Sequence, residues 1–272
     1  MRAEGAAGPC NPATDCAGAA ASLARLWHTC AIGAGHDPAD LASVTLALGG
    51  AGLGVAAARD GLLRAAPRFG RSVTLSDGYA ALIGAGGGAP GALIIAGTGA
   101  AGHRLYEDGR SIMRDGWGWV GGDRGSGAWI GRRALRHALA AADGVVAQDG
   151  LAVRVSMVLR ALSPLPRGWI PLMGPERLAA LAPLVLDAAM GGEAAALAIR
   201  DGAVTHLAAL AGTLDLTPAL PLWLAGGLAP ALRPLLAARL GRPVAAPERD
   251  ALAGCHLVAT GRAPPERVAG DG

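Results

Sequence analysis

"GWGWVGGDRGSGAWIG", residues 116–131, contains seven glycines and three of the six tryptophans of the chain. Glycine weakens regular secondary structure, whereas tryptophan is the largest apolar side chain. Such a loop lets a ligand approach the backbone closely while the tryptophan rings pack against it, and Asp123 can bind hydroxyl groups through both carboxylate oxygens. The alternative is that Trp119 and Trp129 anchor the loop in the core, which we expect for at least one of them.

The composition predicts a folded chain with a substantial core. Hydrophobic residues make up 52% and charged residues 17% of the 272 residues. Lysine is absent, which excludes a Walker-type phosphate loop and a lysine Schiff base. The net charge of +3 is spread without basic blocks, so nucleic acid is not expected as a partner.

Cysteine usage and the N-terminal sequence predict a cytoplasmic protein without a membrane partner. The N-terminus has no apolar segment of the kind that a signal peptide needs. The longest uncharged stretch, residues 78–102, contains nine glycines and Pro90, and it predicts a helix, a loop and a strand rather than a membrane span. Four cysteines form neither a C-x-x-C pair nor a cluster with zinc spacing: Cys10, Cys16, Cys30 and Cys255.

Segments typical of strands and helices alternate along the chain, which predicts an α/β fold. Thr14 or Asp15 is the candidate N-cap of the first predicted helix, and Ser126 is the candidate N-cap of the helix from 127. A boundary near residues 88–91 divides the chain into predicted domains at 1–89 and 90–272. In the first part of the chain, the pattern predicts a helix over 15–34, a strand within 43–52, a helix over 54–66, a strand over 71–77 and a helix that ends at the glycines 86–88. It then predicts a strand and a glycine turn over 91–99, a hairpin turning at 107–109 and a helix from 127. The remainder is predicted as mostly helices over 145–215 with breaks near 163–168 and 191–192, a strand and helix over 221–232, a last short strand and helix, and a frayed tail after 261.

Three of the predicted strands end in residues suited to ligand binding, since ligands of α/β sheets bind at the carboxyl ends of strands. Asp77 could take a proton from a substrate hydroxyl, or it could cap the helix that follows. In "AGTGA", residues 96–100, the backbone N–H groups could hold an anion, or the segment could be an ordinary hairpin turn. In "LAGGLAP", residues 224–230, the double glycine could hold a nucleotide or form a tight turn only.

The order of the motifs is specific. "GPCN", "SDGYAALIGA", "LIIAGTGA", "GWGWVGGDRGSGAWIG" and "LAGGLAP" follow one another between about residues 5 and 261. This series resembles the BadF/BadG/BcrA/BcrD ATPase family, and within it the branch of N-acetylglucosamine and glucosamine kinases. That family belongs to the superfamily of acetate and sugar kinases, heat-shock chaperones and actin. The resemblance implies an ATP-dependent amino-sugar kinase with two ribonuclease-H-like α/β lobes around a central cleft.

The resemblance also implies roles for particular residues, with ATP and Mg²⁺ as cofactors and an amino sugar as substrate. Asp77 is the implied catalytic base, and no residue is implied as a direct metal ligand. The sequence does not determine the oligomeric state, and a homodimer is one of the states that it allows. The implied sugar ligands are Asn11, Gly116, Trp117, Gly118 and Asp123. The implied ATP ligands are Gly97, Thr98 and Gly99 for phosphate and Gly226 and Gly227 for adenosine.

The chain departs from the family pattern at three points. Ala100 replaces the serine of GTGS, which removes one phosphate contact. Arg124 replaces the glutamate of GDEGS, which reverses a charge beside Asp123 and could change the preference between an acetylated sugar and a free amine. The family also begins with a hairpin that carries a D-x-G-G-T-type phosphate motif. This chain starts after that segment, which predicts a truncated first lobe, weak sugar binding and poor turnover.

Two other functions stay open at this stage. A sugar-binding sensor or inactive pseudokinase would fit a chain without the first phosphate motif. The second is the other branch of the family, the iron–sulfur ATPases that activate dehydratases. Those proteins need cysteines just beyond the phosphate turn, and this sequence has no cysteine between Cys30 and Cys255.

Overall fold

The computed structural model describes residues 3–8, 10–162, 173–217 and 219–267. The described residues contain eleven helices and six strands, in chain order α1 (Cys16–Gly33), β1 (Thr45–Gly50), α2 (Ala56–Ala65), β2 (Arg71–Ser76), α3 (Asp77–Gly86), β3 (Gly91–Ala96), β4 (Ala100–Leu105), β5 (Ser111–Asp115), α4 (Gly118–Gly121), α5 (Gly127–Ala142), α6 (Gly150–Leu162), α7 (Pro175–Ala179), α8 (Ala182–Met190), α9 (Ala194–Gly212), β6 (Leu222–Ala225), α10 (Ala229–Leu240) and α11 (Ala251–Ala259).

The described residues group into two compact units, and the fold is mixed α/β as the sequence predicts. The first unit combines the described residues up to Pro90, the segment Leu105–Ser111 and the described residues from Pro247 onward. The second combines Gly91–Arg104 with the described residues from Ile112 to Ala246. The predicted domains at 1–89 and 90–272 would assign the final segment to the second lobe, and that division stays a prediction.

The first unit contains a parallel pair of strands, β1 and β2, in which Thr45 pairs with Arg71 and Gly50 with Ser76. Helices α1 and α2 contribute buried leucines to its core, among them Leu23 and fully buried Leu62. Since β1 and β2 run in parallel, their carboxyl ends meet at one edge of the sheet. This edge is the place where Asp77 follows β2.

The second unit contains a four-stranded sheet in the order β5-β4-β3-β6. Strand β3 is almost wholly buried, as expected for an interior strand rich in apolar residues. It pairs in parallel with β6, from Ala92 opposite Leu222 to Ile95 opposite Ala225. Alternate residues of β3 join helices α5 to α10 in one large apolar cluster.

Helix α9 has the length and the mean hydropathy, 1.2, that a membrane span would need. It also carries Arg200, Asp201 and His206, and its residues Ala203 and Leu207 lie fully buried in the core of the second unit. A buried core helix meets the same criteria of length and composition, so these are weak evidence for a membrane span.

Several local predictions are confirmed. Asp15 is the N-cap of α1 and accepts a hydrogen bond from the N–H of Gly18 at 2.9 Å. Ser126 caps α5 and accepts from the N–H of Trp129 at 3.1 Å. The hairpin between β4 and β5 turns through residues 107–109, and the helices break at Gly191 and Gly192. The predicted break at 163–168 lies outside the described residues.

Two other predictions are wrong. The expected last strand is reduced to a single bridge between Ala245 and Trp223, because Pro243 and Pro247 lack the N–H group that a strand ladder needs. The tail after Gly261 is not frayed up to Arg267, where the described residues end. The carbonyl oxygen of Arg267 accepts a hydrogen bond from the N–H of Ser111 at 3.1 Å.

Helices α3 and α11 cross at very short range in the first unit. A Cβ atom at Gly254 of α11 would overlap the carbonyl oxygen of Ala80, and a Cβ at Gly84 of α3 would overlap the carbonyl oxygen of Asp250. The two helices therefore pack backbone against backbone, which requires glycine at both positions.

We expect Gly254→Ala to lower the free energy of unfolding by about 1–3 kcal/mol, because the helices must separate to accept the methyl group. Denaturant unfolding followed by circular dichroism measures this. Gly212→Ala is the matched control, since an added Cβ at this helical glycine would contact nothing within 4 Å. The control should be neutral or should gain up to about 1 kcal/mol from helix propensity. Equal stability of the two variants would contradict the backbone contact.

Candidate active site

Asn11 lies beside the carboxyl end of β1 in the first unit. Its side-chain oxygen accepts a hydrogen bond from the N–H of Ala13 at 3.0 Å, and its carbonyl oxygen accepts from Thr14 and Asp15 just before α1 begins. A Cβ atom at Gly52, in the turn after β1, would overlap the Asn11 amide oxygen. Asn11 is thus held at the edge of the sheet where β1 ends.

Asp77 is the first residue of α3, directly after β2, and its side chain is exposed. It is not the helix cap. Ser76 fills that position, with its hydroxyl oxygen accepting a hydrogen bond from the N–H of Tyr79 at 3.2 Å. Because Gly50 pairs with Ser76, Asn11 and Asp77 belong to the same edge of this parallel sheet. The alternative role left open by the sequence, a capping aspartate, is therefore taken by another residue.

In the second unit, the turn after β3 and the turn after β6 lie against each other. Gly226 has φ +95°, and a Cβ atom there would overlap the carbonyl oxygen of Ala96 and lie 3.0 Å from the nitrogen of Gly97. The N–H of Leu228 donates to the Ala96 carbonyl oxygen at 3.0 Å. The two glycine motifs that the sequence marked as candidate nucleotide ligands therefore form one joined backbone surface at the ends of parallel strands.

The turn at Gly97, Thr98 and Gly99 also contacts the start of helix α5. The N–H of Gly127 donates to the Gly97 carbonyl oxygen at 2.8 Å, and the N–H of Ala128 donates to the Thr98 carbonyl oxygen at 3.1 Å. Thr98 is exposed, and a Cβ atom at Gly97 would contact nothing within 4 Å. An exposed hydroxyl beside glycine backbone is suited to hold an anion.

Asp123 lies against this turn. A Cβ atom at Gly99 would lie 2.8 Å from its Oδ2 atom, and the N–H of Ala100 donates a hydrogen bond to its carboxylate. Burial raises the pKa of Asp123 above its ordinary value of 3.8; the Ala100 hydrogen bond opposes the shift, and the charge of Asp115 adds to it. The structure thus joins a carboxylate from the loop at 116–131 to the predicted phosphate turn.

Asp115, which the sequence pattern did not single out, holds the loop that carries Asp123. Its side chain is only 5% exposed, and its two oxygens accept hydrogen bonds from the N–H groups of Asp123 at 2.9 Å and Arg124 at 3.4 Å. Both aspartates have left-handed backbones, with φ +58° at Asp115 and +53° at Asp123. Aspartate directly before glycine in "RDGWG" is the signal that could have found it, because aspartate tolerates this conformation better than most residues.

The three tryptophans of the loop have different environments. Trp129 is buried, with its ring edge-on to His206 at 5.0 Å and the Arg133 guanidinium over its face. Trp119 is partly buried against the apolar core, which confirms that tryptophan anchors this loop. Trp117 is 78% exposed. Trp117 and the flanking Gly116 and Gly118 are therefore accessible from solvent within this unit.

Charged groups surround Arg124, the residue that replaces the glutamate of the family pattern. Its Nε atom lies 3.4 Å from Oδ2 of Asp115, and its side chain is 57% exposed. Burial lowers the pKa of His206 on α9, and the charges of Arg124 and Arg133 lower it further. The position beside Asp123 is therefore a mixed-charge cluster, in which the added cation is partly balanced by the buried carboxylate of Asp115.

Glycine turns joined at the carboxyl ends of parallel strands, with a carboxylate at their side, are typical of nucleotide-binding α/β proteins. The model of the BadF/BadG/BcrA/BcrD ATPase family matches residues 4–235 of the chain. The match covers most of the 272 residues, and the chain therefore belongs to the BadF/BadG/BcrA/BcrD ATPase family.

Solved structures support the same fold. A protein from Chromobacterium violaceum, provisionally named N-acetylglucosamine kinase, is 32% identical over 93% of this chain and 88% of its own, with a TM-score of 0.85. A provisionally named N-acetylglucosamine kinase from Porphyromonas gingivalis has a TM-score of 0.64 at 18% identity, covering 94% of this chain and 90% of its own. At this lower identity the likeness concerns the fold alone.

Curated relatives match shorter segments. The N-acetylmuramic acid/N-acetylglucosamine kinase of Clostridium acetobutylicum is 34% identical over 82 residues, 30% of this chain and 27% of the relative. Glucosamine kinase GspK of Vibrio cholerae is 37% identical over 112 residues, 41% of this chain and 37% of the relative. The matched segments thus span well under half the length of each of these curated relatives.

We expect Asp115→Asn to lower the free energy of unfolding by about 1–3 kcal/mol, because one of the backbone N–H groups it serves loses its acceptor. Thermal and denaturant unfolding measure the loss. Asp143→Asn is the matched control in the same unit, since Asp143 is exposed at the end of α5. If both variants unfold together with the wild type, the carboxylate does not hold the loop.

The raised pKa of Asp123 predicts a pH-dependent effect of Asp123→Asn. The folded state binds the Asp123 proton more tightly than the unfolded state, so the ionised carboxylate costs stability above the raised pKa. Below the ordinary value of 3.8 the group is protonated in both states and this cost disappears. The stability of the neutral variant relative to wild type should therefore increase as pH rises through the raised pKa, and then level off.

Denaturant unfolding of both proteins between about pH 3 and pH 8 measures this difference. Asp143→Asn, at an exposed carboxylate of the same unit, is measured alongside as the control for the loss of one negative charge. A relative stability of Asp123→Asn that decreases with rising pH would contradict the direction of the shift.

Proposed function

We propose that this chain is an ATP-dependent amino-sugar kinase that phosphorylates N-acetylglucosamine or glucosamine. Membership of the ATPase family supports the use of ATP. The Chromobacterium violaceum structure, similar over most of both chains, and the two shorter curated matches support an amino sugar as the acceptor. A cytoplasmic location, where ATP is available, is part of the proposal.

The observation that carries the proposal is the joined backbone surface of the second unit, with Asp123 at its side. The turn at Gly97, Thr98 and Gly99 would hold the phosphates of ATP through backbone N–H groups and the Thr98 hydroxyl. Gly226 and Gly227 would lie against the adenosine. Both of these glycines are exposed, and a Cβ atom at Gly227 would contact nothing within 4 Å, so the backbone is open to a ligand.

Mg²⁺ would enter together with ATP. Over the described ranges, no group of three or more His, Cys, Asp or Glu side chains could hold a metal ion by itself. That fits Mg²⁺, which usually keeps several waters and binds through substrate phosphates and one or two carboxylates. When bound, it would neutralise charge on the phosphates. Asp123 is a carboxylate adjacent to the phosphate turn.

Each unit, taken by itself, carries side chains suited to bind a sugar. Asn11 supplies a side-chain amide at the edge where Asp77 stands, and amides bind sugar hydroxyls as donors and acceptors. In the second unit, exposed Trp117 offers an apolar face to a sugar ring, flanked by exposed Gly116 and by Gly118, where a Cβ atom would contact nothing within 4 Å. Asp123 would accept hydrogen bonds from sugar hydroxyls.

Asp77 would act as the general base. In the transfer step, the sugar hydroxyl oxygen forms a bond to the γ-phosphorus as the bond from that phosphorus to the β,γ-bridging oxygen breaks. The bridging oxygen keeps the electron pair, ADP leaves, and the hydroxyl proton passes to the Asp77 carboxylate. Phosphoryl transfer of this kind depends on positioning and charge stabilisation, with an aspartate accepting the hydroxyl proton. The exposed position of Asp77 at a strand end is suited to that role.

We expect sugar-dependent ADP release that falls at least about 100-fold in Asp77→Asn, the usual contribution of a general base. ADP is measured with N-acetylglucosamine, glucosamine, glucose and no sugar, in the presence of ATP and Mg²⁺. Asp60→Asn is the matched control, an exposed carboxylate of the same unit on α2, and should retain activity.

Three outcomes would contradict the proposal. ADP release independent of sugar would indicate an ATPase rather than a kinase. Equal losses of ADP release in Asp77→Asn and Asp60→Asn would show that Asp77 is not the general base. Thermal stabilisation by sugar without any ADP release would instead support a sugar-binding sensor.

A further inference from the structure

Glu266 lies in the segment that follows helix α11, and its carboxylate binds Ser76, the residue immediately before the proposed base. Its Oε2 atom accepts a hydrogen bond from the N–H of Ser76 at 2.6 Å, and its Oε1 atom accepts one from the Ser76 hydroxyl at 2.6 Å. Both oxygens of one carboxylate are therefore committed to one residue. The two partners are 190 positions apart in the sequence, so this contact exists only in the folded chain.

Ser76 joins β2 to α3 and directly precedes Asp77. It ends β2, and it caps α3 by accepting the N–H of Tyr79 on its hydroxyl oxygen at 3.2 Å. The hydroxyl has one proton, and donating it to Glu266 fixes the orientation of the oxygen that serves Tyr79. With the backbone N–H and the side chain of Ser76 both held, the first peptide of α3, which carries Asp77, has little freedom to rotate.

The segment that carries Glu266 is itself anchored at several points in the same unit. The hydroxyl of Tyr79 donates to the carbonyl oxygen of Pro264 at 3.0 Å, and the N–H of Ser111 donates to that of Arg267 at 3.1 Å. Tyr79 is 1% exposed. Burial and then the charge of Glu266 raise its pKa to about 12, so its hydroxyl stays a donor throughout the neutral range. Glu266 is thus presented to Ser76 by a fixed backbone.

We infer that Glu266 is a positioning residue for the proposed base, acting on Asp77 through Ser76. This inference rests on the proposed kinase function for its catalytic consequence, and its structural part can be measured without any activity. Glutamine keeps the size of Glu266 but offers one acceptor oxygen instead of two, so the N–H and the hydroxyl of Ser76 can no longer both donate to it. The carboxylate also lies at the N-terminus of α3, where a negative charge is favourable and a neutral amide is less so.

The test compares variants of Glu266 with the same variants of Glu248, an exposed glutamate of the same unit, in the full-length chain. Amide hydrogen exchange tests the contact with Ser76 directly in Glu266→Ala, which removes both acceptor oxygens. The Ser76 amide should exchange at least about 10-fold faster in Glu266→Ala and at the wild-type rate in Glu248→Ala, since a lost partner exposes the N–H to solvent. Unchanged exchange at Ser76 in Glu266→Ala would overturn the inference.

Kinetics test the consequence for the base. In Glu266→Gln, kcat should fall about 10- to 100-fold while the KM for ATP stays within about 2-fold, because a small misplacement of a catalytic group costs rate rather than nucleotide binding. Combining Glu266→Gln with Asp77→Asn should cause almost no further loss beyond that of Asp77→Asn alone, since a positioned base that is absent cannot be misplaced.

A purely structural role would give a different pattern. It would lower the residual rate of Asp77→Asn by the same factor as that of the wild type, in step with a loss of folded protein on thermal unfolding, and this result would overturn the inference. A wild type that releases no ADP with any sugar would instead refute the kinase proposal. In that case the exchange of the Ser76 amide alone would decide whether Glu266 holds the β2–α3 junction.

Discussion

The close approach of two backbone turns in the second unit is the constraint on which the candidate nucleotide site depends. The carbonyl oxygen of Ala96 leaves no room for a Cβ atom at residue 226, and the backbone there has φ +95°, so only glycine fits. That approach lets the N–H of Leu228 bond to Ala96 and starts α10 directly over the end of β3. Because β3 is buried among the core residues, a ligand on these turns would rest on a rigid support.

The loop at 116–131 is held to the same support by two different means. Trp129 and Ser126 are buried, and they fix the start of α5 against the core. Asp115 holds the other half of the loop through the N–H groups of Asp123 and Arg124. Left-handed backbone at a residue other than glycine carries strain, and it persists only where surrounding contacts impose it. Here those contacts hold the Asp123 carboxylate against Gly99. The backbone strain at Asp115 and Asp123 therefore accompanies the orientation of a side chain that is a candidate for binding substrate.

The sequence predicts the order of strands and helices, most of their positions and the glycine turns, because these depend on local periodicity and turn chemistry. It could not predict contacts between distant segments. The sequence allows Asp77 to be either a general base or the cap of the helix that follows, because the residue that caps α3 is its immediate neighbour, Ser76. The sequence predicts a frayed tail because its prolines and charges lack periodicity. In the structure, Glu266 of this tail binds Ser76, a residue 190 positions away. Asp115 was missed because its partners become visible only when β5 and the loop fold together.

The departure at Arg124 takes a different meaning once Asp115 is seen. From the sequence, an arginine in place of glutamate reverses a charge beside Asp123. In the structure, the guanidinium lies 3.4 Å from the Asp115 carboxylate, which is almost fully buried. A glutamate at position 124 would face that carboxylate and Asp123 together, and three like charges in one partly buried loop would repel. Arg124 and Asp115 therefore form a compensating pair. The positive charge that Arg124 brings beside Asp123 is thus partly offset by the Asp115 carboxylate in the folded loop.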